Sequence, residues 1–341
     1  MICKSLFVSN IRPWISYFAD RMSLYRNAVW FLKGWQEYTK GGYQTAAQKF
    51  TSQDLDVDCC GKVFMITGAN SGIGKCVTLE IAKRGGTVHM VCRNSESADA
   101  VKDEIVKTTQ NENIHTHILD LSQPRSVYKF ATNFKETQER LDVLINNAGC
   151  MVNKRETDED GLEKNFATNT LGTHILTRVL LPLLKKTEKS RVVTVSSGGL
   201  LVQKLNPDDL QFEKMSPFDG TMAYAQNKRQ QVVMTEYFAR ENPEVFFATM
   251  HPGWADTPAV RSSMPDFYNK MKDRLRTAEQ GADTVVWLAI SEAAIKHPSG
   301  LFFQDRTPVP THLPLAWTKT SKEEEEKFMK QLEELLEKFR S

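Results

Sequence analysis

The feature that most constrains the fold of this chain is a glycine-rich turn between a predicted strand and a predicted helix. The turn has the sequence TGANSGIG, residues 67–74, and it follows an apolar, β-forming run at 62–66. After the turn, apolar residues recur every fourth position from Ile73 to Ile81, basic residues follow, and Gly85 ends the pattern. These signals predict a strand, a tight turn and a helix in direct succession.

This arrangement suits a dinucleotide phosphate. Gly68 allows a tight turn, Gly72 has no Cβ to block a diphosphate, and Gly74 lets the helix pack closely on the strand. The free N–H groups at the start of the helix then point at the phosphates. A plain turn is the alternative, because spaced glycines alone are a weak pattern. The predicted phosphate-binding residues are Gly68, Asn70, Ser71, Gly72, Ile73 and Gly74.

Beyond this unit, strand-like and helix-like segments alternate along the chain, which predicts right-handed βαβ units. The fold class is therefore α/β, a Rossmann-type, doubly wound parallel sheet with helices on both faces. Helices are expected between the strands, including a long one over 162–184 and another over 224–239. The predicted strands lie at 62–66, 87–92, 114–121, 141–145, 191–195, 245–250 and 301–303, about seven in all.

Ligands of such sheets bind beyond the carboxyl ends of the strands. In this chain the first six of these ends carry a polar or glycine-containing turn. Their shared placement predicts one site built from several strands. The turns are the glycine loop, Arg93, Asp120, 146–149 (NNAG), 196–199 (SSGG) and Pro252-Gly253.

A tyrosine and a lysine four residues apart, Tyr224 and Lys228, are the candidate chemical groups. Positions i and i+4 share one face of a helix, so the ammonium can approach the phenol. A nearby positive charge lowers the pKa of a tyrosine and makes it usable as a general acid or base. The same spacing recurs at Tyr268 and Lys272. Only the first pair follows a strand that ends in a serine, Ser197, so we expect the chemistry there.

Composition excludes other classes of function. The formal net charge of +2 predicts no nucleic-acid surface, and the six cysteines show no CxxC spacing, as in a reduced, cytoplasmic protein that is not secreted. His115 and His117 share one face of a predicted strand, but no third ligand lies nearby in sequence. We therefore predict no metal site.

Both ends of the chain extend beyond the predicted Rossmann domain. The expected division is 1–59 for an N-terminal extension with a polar linker over 41–58, 60–310 for the catalytic domain, and 311–341 for a tail with a charged amphipathic helix. Residues 1–20 are too interrupted for a membrane span. An apolar stripe from Leu24 to Tyr38 predicts a helix that docks on the domain or on a homodimer partner. Peripheral contact with the cytosolic face of a membrane is the alternative.

Taken together, the motifs TGANSGIG, NNAG, Asn169, Ser197, Tyr224 with Lys228, and Pro252-Gly253 through Thr257 resemble the short-chain dehydrogenase/reductase family, in that family's order over about residues 60–305. The resemblance implies a Rossmann-fold oxidoreductase in which Tyr224 donates a proton to a substrate carbonyl. Lys228 would lower the pKa of Tyr224 and hold the nicotinamide ribose, Ser197 would bind the carbonyl together with Tyr224, and Asn169 would fix a water of the proton relay. The remaining cofactor contacts that it implies are Asp120, Leu121, Asn147, Ala148, Gly149, Pro252, Gly253 and Thr257.

The same resemblance predicts a function: NAD(P)(H)-dependent reduction of a carbonyl, or oxidation of the matching alcohol. Met264, Phe267, Tyr268 and Met271 suggest a small lipophilic substrate, and the long interval between Ser197 and Tyr224 suggests a loop over the substrate site. A catalytically silent nucleotide sensor or scaffold on the same fold is the competing hypothesis.

The predicted cofactor is NADP(H), with NAD(H) as the alternative. Sites that prefer NAD place an acidic residue near the ribose, about 20 residues beyond the glycine loop. Here the second strand ends in Arg93, whose guanidinium can pair with a 2′-phosphate. A surface arginine that caps a loop is the alternative interpretation of the same residue.

Overall fold

An eight-stranded sheet, in the order β3-β2-β1-β4-β5-β6-β7-β8, forms the centre of the computed structural model, which describes residues 24–340. The first seven strands are parallel, and β8 pairs antiparallel with β7. The predicted Rossmann-type sheet is thus confirmed, and the short β8 is an addition, because two residues show no sequence period. The strands are β1 Val63–Thr67, β2 Thr87–Cys92, β3 Ile114–Ile118, β4 Val143–Asn146, β5 Arg191–Val195, β6 Phe246–His251, β7 Phe302–Gln304 and β8 Thr307–Pro308.

The order of the strands reverses on either side of β1. Ile66 of β1 is in register with Met90 on one side and with Ile145 on the other. The chain therefore winds away from β1 in both directions, and a crevice opens beyond its carboxyl end. The glycine-rich turn leaves β1 at this point.

Helices cover both faces of the sheet, as parallel strands require. One face is packed by α3, α4 and α11, and the other by α5, α7 and α8 with α12 outside them. The described helices are α1 over 24–37, α2 Lys40–Ala47, α3 Gly72–Lys83, α4 Ser95–Thr109, α5 Pro124–Thr137, α6 Lys164–Phe166, α7 Gly172–Lys186, α8 Gly220–Glu241, α9 Pro258–Ser263, α10 Pro265–Met271, α11 Ala278–Ile290 and α12 Lys322–Lys338.

Two sequence predictions of local structure are wrong. The expected linker over 41–58 contains most of α2 and a 3-10 turn, Ser52–Leu55, and Asp54 of that turn accepts a hydrogen bond from Trp287 Nε1 at 2.8 Å. The sequence does not predict these two elements, because tertiary contacts rather than an apolar stripe stabilise this segment. The expected continuous helix over 162–184 is interrupted by a π-helix, Ala167–Leu171, between α6 and α7.

The N-terminal helix α1 presents two different faces. Tyr38, directly after it, is fully buried, and Trp30 packs against Tyr38 and Trp254. The other face leaves apolar side chains in solvent, with Leu24 70% and Leu32 64% exposed. Within residues 24–340, no helix combines the length and hydrophobicity needed to cross a membrane. The expectations for residues 1–20 lie outside the described residues.

The tail helix α12 packs through its apolar stripe on the helices that cover the sheet. Phe328, Leu332 and Leu336 are buried in the same core cluster as α7 and α8. Ser321 and Glu324 form a capping box at the start of α12, with both reciprocal hydrogen bonds present.

Candidate active site

The glycine loop has a backbone that side chains would not tolerate. Gly68 and Gly72 have φ angles of +64° and +48°, in the left-handed region that favours glycine. A Cβ on Gly74 would lie 2.2 Å from the carbonyl oxygen of Gly68, so only glycine allows α3 to pack this closely on the turn. The local geometry therefore favours glycine over any other residue at each of these three positions.

The loop is fastened to the end of β4 by a reciprocal set of hydrogen bonds. Thr67 Oγ1 accepts from the backbone N–H groups of Asn147 at 3.0 Å and Ala148 at 2.9 Å. In return, Asn147 Nδ2 donates to the carbonyl oxygens of Thr67 at 2.9 Å and Gly68 at 3.2 Å. The NNAG segment thus fixes the shape of the glycine loop across the reversal point of the sheet.

The start of α3 has the donors that a diphosphate needs. Ser71 is its N-cap residue, yet its side chain makes no capping hydrogen bond, so the first helical N–H groups, including those of Ile73 and Gly74, have no side-chain acceptor. Beside Gly72, Thr257 Cγ2 would lie 3.2 Å from an added Cβ, so the loop and the N-cap of α9 face each other closely. This donor set fits the diphosphate of a dinucleotide.

Polar residues at the ends of β2 and β3 flank the loop. Asn70 Nδ2 donates to Ser97 Oγ at 2.6 Å and so ties the loop to the first turn of α4. Arg93 is exposed at the end of β2, and within residues 24–340 its guanidinium makes no hydrogen bond or ion pair. Asp120 accepts from the N–H and the hydroxyl of Ser122 through one carboxylate oxygen, while the next residue, Leu121, is buried.

Asn169 lies in the π-helix, fully buried. Its side chain accepts from Cys150 N–H at 2.8 Å and donates to the Cys150 carbonyl at 2.8 Å, so it holds the residue that follows Gly149. Its backbone carbonyl accepts from Gln231 Nε2 at 2.7 Å. The π-helix therefore turns Asn169 toward the strand ends and toward α8, a placement that a regular helix over this segment would change.

Tyr224 and Lys228 lie on one face of α8, as their spacing predicts. The Lys228 ammonium is 5.2 Å from the centroid of the Tyr224 ring. It donates to the Val195 carbonyl at 2.8 Å and to Gln231 Oε1 at 3.1 Å. Gln231 also donates to the carbonyl of Asn169, so its side chain links Lys228 to Asn169. The family resemblance implies a water molecule bound by Asn169 in the proton relay. Gln231 was not singled out from the sequence, although it lies seven residues after Tyr224 on the same helical face.

The pKa values in this cluster differ from the sequence expectation. Burial, and then the charge of Cys150, raises the pKa of Tyr224 to about 12, and hydrogen bonding to Ser197 offsets only part of this rise. Burial lowers the pKa of Lys228 to about 7. The expected lowering of the Tyr224 pKa by Lys228 is therefore absent from this structure: burial is the largest cause of the shift, and Lys228 is not among its causes.

Ser197 is the N-cap of the 3-10 helix Gly198–Val202. We call residues 197–202 the serine turn. The Ser197 hydroxyl accepts from Gly199 N–H at 3.2 Å. The interval before Tyr224, which the sequence suggests as a loop over the substrate site, belongs in part to the core, because Leu205, Leu210 and Phe212 are buried there.

The Pro252-Gly253 turn after β6 is fixed by one buried arginine. Gly253 has a φ of +75°, and a Cβ there would lie 2.2 Å from Arg276 Nε. Arg276 donates to the Pro252 carbonyl at 3.4 Å and forms a two-bond ion pair with Asp305 at 2.6 and 2.9 Å. The turn leads to Thr257, whose hydroxyl accepts from Val260 N–H at the start of α9.

The second tyrosine–lysine pair has different surroundings. Tyr268 lies in α10, beneath the guanidinium of Arg261, and packs with Phe267 against a cluster that contains Trp254 and buried Met271. Apolar residues in this segment, which suggested a lipophilic substrate, are therefore at least partly used for packing under α1.

Three histidines meet on β2 and β3, one more than the sequence pattern indicates. His89 Nδ1 lies 2.8 Å from His117 Nε2, and the ring of His115 stacks on His89 at 4.9 Å. In the part of the chain that the structure describes, no group of histidine, cysteine or acidic residues has the arrangement of a metal site. His89 and His117 pack instead against Phe134.

Comparison with known proteins agrees with this geometry. The family model for short chain dehydrogenases matches residues 62–205. Dehydrogenase/reductase SDR family member 12 of Bos taurus is 60% identical over 319 residues, which cover 94% of this chain and 100% of that relative. The blocks SLYRNAVWF, GCMVNKRE, GTMAYAQNKRQQVV, HPGWADTP and FFQDR predict a likeness to this family member, and the identity confirms it.

More distant relatives share the same core. Human retinol dehydrogenase 11 is 36% identical over 249 residues, or 72% of this chain and 77% of the relative. A short chain dehydrogenase of Escherichia coli CFT073, solved with NADPH, superposes with a TM-score of 0.59 at 24% identity, covering 75% of this chain and 100% of that chain. The chain belongs to the short-chain dehydrogenase/reductase family.

Proposed function

We propose that this protein is an NAD(P)(H)-dependent oxidoreductase that reduces the carbonyl of a small, lipophilic substrate or oxidises the matching alcohol. The observation that carries the proposal is the assembly of Ser197, Tyr224, Lys228 and Asn169 at the strand ends, with Gly149 next to both Asn169 and Lys228. We place the catalytic domain at residues 60–310, with 1–59 and 311–341 as extensions.

In the proposed reaction, the bound nicotinamide supplies or accepts the hydride, and this chain's residues supply orientation and a proton. Ser197 and Tyr224 hold the carbonyl oxygen, and the Tyr224 phenol donates its proton to that oxygen. Lys228 lies over the Tyr224 ring and would hold the nicotinamide ribose, and Gln231 connects it to Asn169. A phenol with its pKa raised to about 12 remains protonated at neutral pH, as a proton donor must.

For the cofactor, we propose NADP(H) over NAD(H). The support is Arg93, exposed at the end of β2 and without a partner among residues 24–340, beside the loop that Asn70 ties to α4. A guanidinium in this place can make two charge-assisted hydrogen bonds to a 2′-phosphate.

The proposed location is cytoplasmic, including the cytosolic face of a membrane. Its support is the outer face of α1, where Phe31 and Trp35 are 45% and 41% exposed beside Leu24 and Leu32. Flotation with liposomes tests membrane contact: we expect the wild type to float and a Leu24→Ser, Leu32→Ser variant to stay in solution. If neither protein floats, this face does not bind lipid.

The experiment that tests the function is an activity screen of the purified protein with NADPH and NADH. The substrates should be a panel of lipophilic carbonyls that includes retinaldehyde, because one relative is named a retinol dehydrogenase. Cofactor oxidation that depends on a carbonyl supports the proposal. Tight NADPH binding without turnover of any substrate would favour the alternative, a nucleotide sensor or scaffold.

A further inference from the structure

The N-terminal helix α1 reaches the catalytic region from outside the Rossmann domain. Trp30 Nε1 donates a hydrogen bond of 2.7 Å to the carbonyl oxygen of Gly198, the residue directly after Ser197. Trp30 and Gly198 are 168 positions apart in sequence. No other side chain in residues 24–340 donates to this carbonyl, so the indole is a specific link between α1 and the serine turn.

The other side of Gly198 is held by two aromatic residues. Gly198 N–H donates to His251 Nδ1 at 2.8 Å, and the His251 ring meets the Tyr38 ring edge to face, with centroids 4.3 Å apart. A Cβ on Gly198 would lie 2.9 Å from both His251 Nε2 and Tyr38 Cε2. Both backbone groups of Gly198 are thus hydrogen-bonded, and no space remains for a side chain at this position.

The end of α1 is itself held rigidly. Arg276 donates to the carbonyls of Glu37, Tyr38 and Thr39 at 2.6, 3.1 and 3.3 Å, and the Tyr38 carbonyl also accepts from Trp254 N–H at 2.8 Å. The carboxylate of buried Asp305 fixes the same guanidinium. Arg276 thus connects the end of α1 to the Pro252-Gly253 turn, while Trp30 connects the helix to the serine turn.

We infer that Trp30 and the end of α1 position Ser197, so that the N-terminal helix is part of the catalytic apparatus. This inference rests on the proposed function. Trp30 is a positioning residue, because it acts through the Gly198 carbonyl and has no contact with the phenol of Tyr224. A displacement of a reacting group by a fraction of an ångström is enough to slow an enzyme, so the loss of one such support is measurable.

The test is a double-mutant cycle between Trp30→Phe and Ser197→Ala. Trp30→Phe keeps an aromatic ring and removes the N–H donor, and we expect kcat to fall about fivefold, the equivalent of one neutral hydrogen bond. In the Ser197→Ala background the same change should lower kcat by less than about twofold, because the positioned hydroxyl is already gone. Equal losses in both backgrounds would show a general structural effect and overturn the inference.

The matched control is Trp35→Phe. Trp35 lies on the same helix, but its ring faces Arg274, whose guanidinium is 4.2 Å from the ring centroid, and not the serine turn. Its variant should keep the wild-type kcat. An equal fall of kcat in the two variants would attribute the effect to the helix as a whole and contradict a specific role of Trp30.

A second measurement needs no substrate. Hydrogen–deuterium exchange of the backbone over 196–203 should become faster in Trp30→Phe and stay unchanged in Trp35→Phe. The two proposals then fail in different ways. Absence of turnover in the wild type would overturn the proposed function, whereas unchanged exchange in Trp30→Phe would overturn the role of α1.

Discussion

Replacing Arg276 with methionine should strongly destabilise the protein. Arg276 is 1% exposed, and its partner Asp305 is 8% exposed. Their two hydrogen bonds, of 2.6 and 2.9 Å, lie away from water, so the variant leaves a buried carboxylate without its counter-charge. Breaking a buried pair in this way costs about 3–5 kcal/mol of the free energy of unfolding. The lost donors to the carbonyls of residues 37–39 add to the cost.

The assay is urea unfolding, with the free energy compared between the wild type and three variants. The matched control is Arg274→Met, an exposed arginine two positions away that stacks on Trp35, where the loss should be about 1 kcal/mol or less. In the double variant Arg276→Met, Asp305→Leu, at least about 1 kcal/mol should return, because no charge stays buried without a partner. If Arg276→Met and Arg274→Met destabilise the protein equally, the buried ion pair does not hold α1 and β7 together.

Two further predictions concern charge. Arg93→Asp should reverse the preference for NADPH over NADH, with a change of roughly tenfold or more, since a charged hydrogen-bonding partner is worth about 1.5–3 kcal/mol. The control variant Lys107→Asp, at an exposed position, should keep the wild-type preference. Fluorescence titration with both reduced cofactors measures the two affinities, and equal NADPH affinity of Arg93→Asp and the wild type would remove Arg93 from the site. Burial, and then the nearby His117 and His115, lowers the pKa of His89 from 6.5 to about 3. Between pH 6.5 and about 3, the unfolded chain therefore binds a proton at His89 that the folded protein does not bind. The free energy of unfolding decreases as the pH is lowered through this range. At pH 5 the free energy of unfolding should be about 2 kcal/mol lower for this reason. Urea unfolding of His89→Gln should show a weaker pH dependence of this free energy, and an unchanged pH dependence would contradict the assignment to His89.

The sheet could be predicted from the sequence because parallel strands are short apolar runs that end in recognisable turns. β2 and β5 were predicted to the residue, and the other main strands within three residues at each end. The predicted common placement of the polar turns at one edge follows directly from that topology. Local periodicity and turn chemistry carry this information, so no tertiary contact was needed to obtain it.

The parts that the sequence did not reveal depend on contacts between distant residues. The π-helix around Asn169 has the same apolar pattern as a regular helix, and its stabilising hydrogen bonds reach Cys150 and Gln231. The pKa of Tyr224 is set first by burial, which the spacing to Lys228 does not report. The hydrogen bond from Trp30 to Gly198 likewise has no signal in either local segment.

The central claim is that chemistry occurs at Tyr224 rather than at the second tyrosine–lysine pair. The direct measurement compares turnover and NADPH affinity of Tyr224→Phe and Tyr268→Phe. Each variant removes only a hydroxyl, and loss of a general acid costs about 10²–10⁴-fold in rate. We predict that Tyr224→Phe loses turnover by this amount and still binds NADPH, while Tyr268→Phe keeps its kcat. Equal loss of turnover in the two variants would contradict the account.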